Sequence, residues 1–227
     1  MTSSMIEIDD AGSGSLVGGT IIGVFRRETQ EYFTALIPLK HFQHPYFSQK
    51  EYQKYVAVIM EKAIQKLNIK KSEPIHICQG YIFDYLRLWL TAHKFNWQNT
   101  KISGPLQVKV ETSFNQYAFQ LGLPKNFLLH ARYAFGFHRL FKWVMADFAH
   151  RSAFCKTGWK SWQKWSTTPV TTGAGQAPRD EYCLKCGKLI KAHEQITILT
   201  YETNRPWELH LHRSCRSAYS GNRAPSV

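Results

Sequence analysis

Two groups of residues in this 227-residue chain have types and spacings that chemistry can use. The first is Ile6-Glu7-Ile8-Asp9-Asp10-Ala11-Gly12-Ser13-Gly14-Ser15-Leu16-Val17-Gly18. A strand-like run ends in two adjacent carboxylates and enters a loop with three glycines. Such a loop brings backbone amides close to a polyanion, and carboxylates at a strand end can hold a divalent metal. The plainer alternative is a hairpin turn with solvated acids, since short glycine motifs are common. The second group is Cys183-Leu184-Lys185-Cys186-Gly187, then a hydrophobic strand over residues 195–201, then His210-Leu211-His212-Arg213-Ser214-Cys215. Zinc takes four nitrogen or sulfur donors in a tetrahedron, and a Cys-x-x-Cys turn followed by Gly supplies two thiolates. His212 and Cys215 supply the other pair, with His210 as the competing fourth ligand.

A third stretch interleaves charge with large rings: Lys156, Trp159, Lys160, Trp162, Lys164 and Trp165. Rings of this kind stack on unpaired bases while lysines follow phosphates. Tryptophans also pack as core anchors, and the two readings weigh equally for these three. Phe137, Phe141, Val144 and Phe148 repeat at helical spacing and read as a core stripe.

The elements that must position these groups alternate. Residues 5–9 are a short strand; residues 18–27 and 31–39 form a hairpin around Glu28-Thr29-Gln30. Ser48 to Glu51 has the form of a capping box ahead of an amphipathic helix carrying Tyr52, Tyr55, Val56, Ile59, Ala63 and Leu67. A strand at 74–78, a helix at 84–93 and a strand at 106–110 follow. Ser113 is placed to cap a helix ending at Gly122, and a long helix is expected over 131–151. Residues 167–178 are small, polar and proline-bracketed and read as a linker. The expectation is an α/β domain over 1–166, a mixed sheet flanked by helices, joined to a zinc-binding module over 179–220.

The opening motif is similar to the first motif of type 2 ribonucleases H, Asp-Glu-Ala-Gly-Arg-Gly with a further Gly soon after. Here it is Asp9-Asp10-Ala11-Gly12-Ser13-Gly14, then Gly18. The element order also fits the ribonuclease H-like fold. The resemblance implies catalytic magnesium on Asp9 and Asp10, and Gly12, Ser13 and Gly14 as a loop against RNA-containing nucleic acid. It implies further acids: Glu111 after a later strand, and Asp147 or Asp84 from a helix. Two-metal phosphodiester cleavage needs three or four convergent carboxylates. The chain departs from the family at Asp10 (Glu in the family), at Ser13 (Arg), and at Gln79, where an aspartate is expected. The C-terminal group resembles a treble-clef finger, a knuckle and hairpin followed by a helix with the second ligand pair.

Bulk properties agree with a folded nucleic-acid-facing protein. Lys and Arg exceed Asp and Glu by 29 to 16, a net charge of +13. Such an excess favours a polyanionic partner through counterion release. Five cysteines, an odd number, fit metal ligation and free thiols better than a disulfide framework. No apolar run is long enough to span a bilayer and residues 1–5 carry no export signal, so a cytoplasmic protein is expected. Three functions follow as expectations. The first is a magnesium-dependent nuclease with a structural zinc. The second is a catalytically inactive relative that binds nucleic acid, and the third a zinc-finger adaptor for protein partners.

Overall fold

The computed structural model describes residues 4–124 and 136–216. Its first part is mixed α/β. Strands β1 (Ile6–Ala11), β2 (Thr20–Arg26) and β3 (Glu31–Ile37) form an antiparallel meander. Helix α1 (Glu51–Leu67) then leads to β4 (Ile75–Ile77), helix α2 (Asp84–Ala92) to β5 (Trp97–Asn99), and α3 (Pro105–Gln120) follows. The sheet order is β3-β2-β1-β4-β5, with β4 and β5 parallel to β1.

Strand alternation sends side chains to two covered faces. Ile6 and Ile8 on β1, with Ile22 and Val24 on β2, pack with Val56, Ile59 and Met60 of α1 and Leu86 and Leu90 of α2. Ala11, Ile21 and Phe25 pack on the opposite side with Leu106, Val110 and Phe114 of α3. Gly23 lets α3 lie close, since a Cβ there would sit 2.4 Å from Val110 Cγ1. Burying each large side chain stabilises the layer by about 1.5–3 kcal/mol.

The second part comprises α4 (Phe137–Ala146), α5 (Phe148–Arg151), α6 (Lys160–Trp165), β6 (Val170–Gln176), β7 (Glu181–Tyr182), β8 (Leu189–Ile190), β9 (Gln195–Glu202) and β10 (Pro206–His212). Three strands form a sheet of order β10-β9-β6, and β7 pairs with β8. One core joins both parts: Leu16 and Val17 are buried together with Phe141, Val144, Cys155, Ile196, Leu199 and Leu209. Among the described residues, no helix is long and apolar enough to cross a membrane.

Several expected elements differ. Residues 106–110 are helix, not strand. Gly104 (φ +93°) and Pro105 start α3, and Leu106, Val110, Phe114 and Ala118 form its buried stripe. Ser113 therefore lies inside a helix and caps nothing. The missing strand is supplied by β5, so the expected order of elements holds with different residues in it. Ser48 Oγ donates to the Pro45 carbonyl at 2.7 Å instead of capping α1. Lys50, in a left-handed conformation, precedes the first turn of that helix. The long helix breaks at Asp147 (φ −152°, ψ 61°), and residues 131–135 of its expected span lie outside the described residues. The segment read as a linker carries β6, in register with β9 from Val170↔Tyr201 to Gln176↔Gln195. Its glycines and threonines have no hydrophobic period because its strand is mostly exposed.

Candidate metal centres

The first centre sits where β1 ends. Parallel pairing sets Ile8 beside Ile77, and the Cys78 amide donates to the Ile8 carbonyl at 3.0 Å. Carboxylate oxygens of Asp9 and Asp10 and the Cys78 sulfur thereby come within 4.8 Å of one another. Asp10 lies against the turn after β4, its Oδ1 3.4 Å from where a Cβ on Gly80 would stand. Asp9 is 6% exposed. Burial, above all, pushes its carboxyl up to about 6; the Cys78 hydrogen bond opposes this, and the charges of Asp10 and Glu111 add to it. Asp10 is also pushed up by burial, against hydrogen bonds from the Ser13 side chain and amide and the charge of Lys156. The Cys78 thiol is pushed up to about 11, by burial first and by both aspartates. It is thus a neutral donor to Asp9 at neutral pH.

The glycine loop is fixed from below. Gly12 has φ +91°, and a Cβ there would lie 2.1 Å from Phe114 Cε2. The Ser15 amide donates to the Gly12 carbonyl at 3.1 Å. Ser13 is bound to Asp10, whereas Gly14 is exposed with open space around it. Glu111 is exposed on α3, where Gln107 Nε2 donates to it at 3.0 Å; its charge bears on Asp9, but its carboxylate is not among the gathered donors. It stands on a helix, not after a strand as expected.

The other expected acids are engaged elsewhere. Asp147 pairs with His150 at 3.0 Å and with Lys185 at 3.5 Å, beside the cysteine knuckle. Burial raises its carboxyl, but the His150 bond and the Lys185, His150 and Arg151 charges outweigh that and hold it below its ordinary value. Asp84 pairs with Arg87 at 2.7 Å. Gln79 is exposed, and Cys78 takes the inward position that the strand register assigns. Sequence reading passed over Cys78 and Tyr81 as site residues and misplaced Lys156. Tyr81, on the turn after Cys78, exposes 48% of its surface beside Asp10. Lys156, expected on a nucleic-acid-facing surface, is wholly buried, with its Nζ donating to the Gly12 carbonyl at 2.6 Å. Burial pulls its ammonium down to about 7, with Asp10 opposing. No signal in residues 155–159 marks it as buried.

Of the tryptophans, Trp162 is buried and stacks on Phe148. Trp159 and Trp165 pack half-buried against the same core. They anchor the fold, while Lys160 and Lys164 are exposed.

The second centre unites Cys183, Cys186, His212 and Cys215, whose donor atoms lie within 4.8 Å of one another. Gly187 (φ +74°) closes the knuckle: its amide donates to the Cys183 carbonyl at 2.8 Å, and the Cys183 amide to the Lys188 carbonyl at 2.9 Å. His212 Nε2 lies 3.0 Å from the Leu189 carbonyl and Nδ1 lies 3.4 Å from Cys186 Sγ. A proton held on Nε2 leaves Nδ1 free to ligate, the usual way a second partner fixes a histidine ligand. Burial pushes the Cys186 thiol up, but hydrogen bonds from the Lys188 amide, Cys215, Cys183 and His212 bring it down to about 7. His210 is not part of the group; it lies between Glu181 and Glu208. Cys215 sits on a 3-10 turn, Arg213–Cys215, rather than the helix of a treble clef. Three sulfurs and one nitrogen, closely gathered, can hold a metal ion and suit a tetrahedral one.

No protein-family model matches the chain, and comparison with curated proteins returned no match.

Proposed function

We propose that the protein is a ribonuclease H-like, metal-dependent nuclease that cleaves phosphodiester bonds in RNA-containing nucleic acid, with structural zinc in the cysteine cluster. The observation that carries this reading is the meeting of Asp9, Asp10 and Cys78 at the end of the central strand, with Glu111 close enough to raise Asp9. Support comes from the sheet order β3-β2-β1-β4-β5, which puts that strand end at the point where connections leave in opposite directions, the usual place for a ligand. The oxygen donors Asp9 and Asp10 fit magnesium or manganese, hard cations that take carboxylates, with Cys78 a neutral neighbour. A divalent cation bound there lowers the pKa of a water and offsets charge on the phosphoryl oxygens. The protein's own part is to hold Asp9 dry and oriented, and to offer the exposed Gly14 amide and the Tyr81 ring to substrate. Exposed Lys160 and Lys164 and the net charge of +13 favour a polyanion.

The second reading is an inactive relative that binds nucleic acid. It is favoured by Cys78 and Gln79 where a further acid is expected, and by the engagement of Asp147 with Lys185. One experiment separates the two. RNA–DNA hybrid and structured RNA are incubated with the zinc-loaded chain and magnesium or manganese, beside Asp9→Asn. Cleavage lost by about a thousandfold or more in the variant, about 4 kcal/mol of barrier, supports the nuclease. Salt-sensitive binding without cleavage in either protein refutes it and supports the binding protein.

A further inference from the structure

A cavity of about 500 Å³ opens between α4, the turn from β9 to β10 and the cysteine knuckle. That volume lies in the range of about 300–1,000 Å³ usual for small-ligand sites. Three cations line it: Arg139 and Lys142, one turn apart on α4, and Arg205 from the turn between Glu202 and Pro206. Arg205 is held in place by a ring. Its guanidinium carbon lies 4.1 Å from the centre of Trp207, whose indole N–H donates to Thr203 Oγ1 at 2.9 Å. The His138 ring stacks on the same tryptophan, with centres 5.6 Å apart.

The acids of this face are turned away from the cations. Glu181, the acid in the lining, bonds to His210 Nδ1, and Glu208 lies 2.6 Å from the other ring nitrogen. Lys142 and Arg205 have neither an ion pair nor a side-chain hydrogen bond among the described residues, which include every Asp and Glu of the chain. Lys142 is partly buried, so its ammonium has given up part of its water without gaining a carboxylate. Two such cations on one cavity make a site for an anion from solution. An apolar wall stands beside them: Tyr182, 55% exposed, with Leu184 and Leu209. A base rests readily on such a ring, while cations take the phosphate. A phosphate monoester carries about −1.5 to −2 charges at pH 7, more than a phosphodiester, which suits cations gathered on one cavity.

We propose that this cavity is a nucleotide site separate from the strand-end centre. It takes a nucleotide bearing a phosphate monoester, free or at the end of a strand, with Lys142 and Arg205 on the phosphate and Tyr182 against the base. The site needs neither Asp9 nor a divalent ion, so it stands independently of the nuclease reading.

The test uses the full, zinc-loaded chain without magnesium or manganese. A short single-stranded RNA with an internal fluorescein carries a phosphate at its 5′ end, its 3′ end or neither, and binding is read by fluorescence anisotropy. Adenosine 5′- and 3′-monophosphate, adenosine and inorganic phosphate serve as competitors. At least one phosphorylated strand or monophosphate is expected to bind at least about threefold more tightly than its unphosphorylated counterpart. Lys142→Met and Arg205→Gln are each expected to cut that preference by about half or more, and the double variant to abolish it. Lys164→Met, outside the cavity, is expected to weaken all strands alike, and Asp9→Asn to keep the preference. A monophosphate that binds as tightly as the strand assigns the free nucleotide; a tighter strand assigns the strand end. Should Lys142→Met fold poorly, Arg205→Gln, at an exposed position, decides the matter. No preference for phosphorylated ligands, or a preference that survives both changes, overturns the proposal. Inorganic phosphate that competes as well as the monophosphates overturns it too, since an anion site without a base wall predicts that result.

Discussion

At the residue scale the most informative group is Asp9, a carboxyl whose environment disfavours its charge. Its value of about 6 lies above that of an unfolded aspartate, about 3.9. The folded state therefore holds the proton more tightly, and stability falls as pH rises from about 4 through about 6. Above that window the ionised carboxylate costs stability in full. Asp9→Asn should accordingly make the metal-free protein more stable at pH 7, by about 1–2 kcal/mol after allowance for solvent screening. Thermal unfolding of both proteins at pH 7 and below pH 4 checks it: the gap should be present at the first and close at the second. A variant that loses cleavage yet gains stability separates a residue kept for chemistry from one kept for the fold. The carboxylates were legible in the sequence because motif and position are local. Cys78 was not: the choice between Cys78 and Gln79 as the inward residue turns on a one-residue register, which alternation in a three-residue strand does not settle.

At the element scale, α3 carries the largest correction. Leu106, Val108 and Val110 alternate as a strand would, and only by extending the count to Phe114 and Ala118 does the four-residue stripe emerge. Val108, which a strand would have buried alongside its neighbours, is 62% exposed. The glycine-proline start was the available signal. The helix places Phe114 directly under Gly12, so the loop conformation depends on a side chain with no local relation to it. Gly12→Ala should lower stability by about 2–4 kcal/mol, from the positive φ and the overlap with the ring, and under the proposed function should weaken cleavage with it. Denaturant unfolding reads the first effect. In a Phe114→Ala background the same change should cost less than in wild type, since the overlap then has space to relax. β6 was invisible for a different reason: an edge strand of small polar residues, paired through its backbone with β9, has no side-chain period to read.

At the scale of the whole molecule, the expected division at residues 167–178 meets a shared core. Cys183 and Ile190 lie in the same buried cluster as Leu16, Val17 and Phe141. Arg151 binds the knuckle to α4, donating to the Leu184 carbonyl at 2.7 Å, to the Lys185 carbonyl at 2.8 Å and to the Trp143 carbonyl at 2.7 Å. Removal of metal from the cysteine cluster by a chelator, or Cys183→Ser, should therefore lower a single unfolding transition of the whole chain. A loss of about 4 kcal/mol would shift it by about 10 °C. A calorimetric trace with a separate, unshifted N-terminal transition would contradict the shared core. Burial of Leu16 and Val17 has one more outcome, concerned with time. The strand bearing both aspartates emerges from the ribosome well before Cys155, Lys156 and β9, which cover the loop behind it. A nascent chain thus exposes an unfinished acidic edge until the segment that packs behind it is free of the tunnel and folded against Leu16 and Val17.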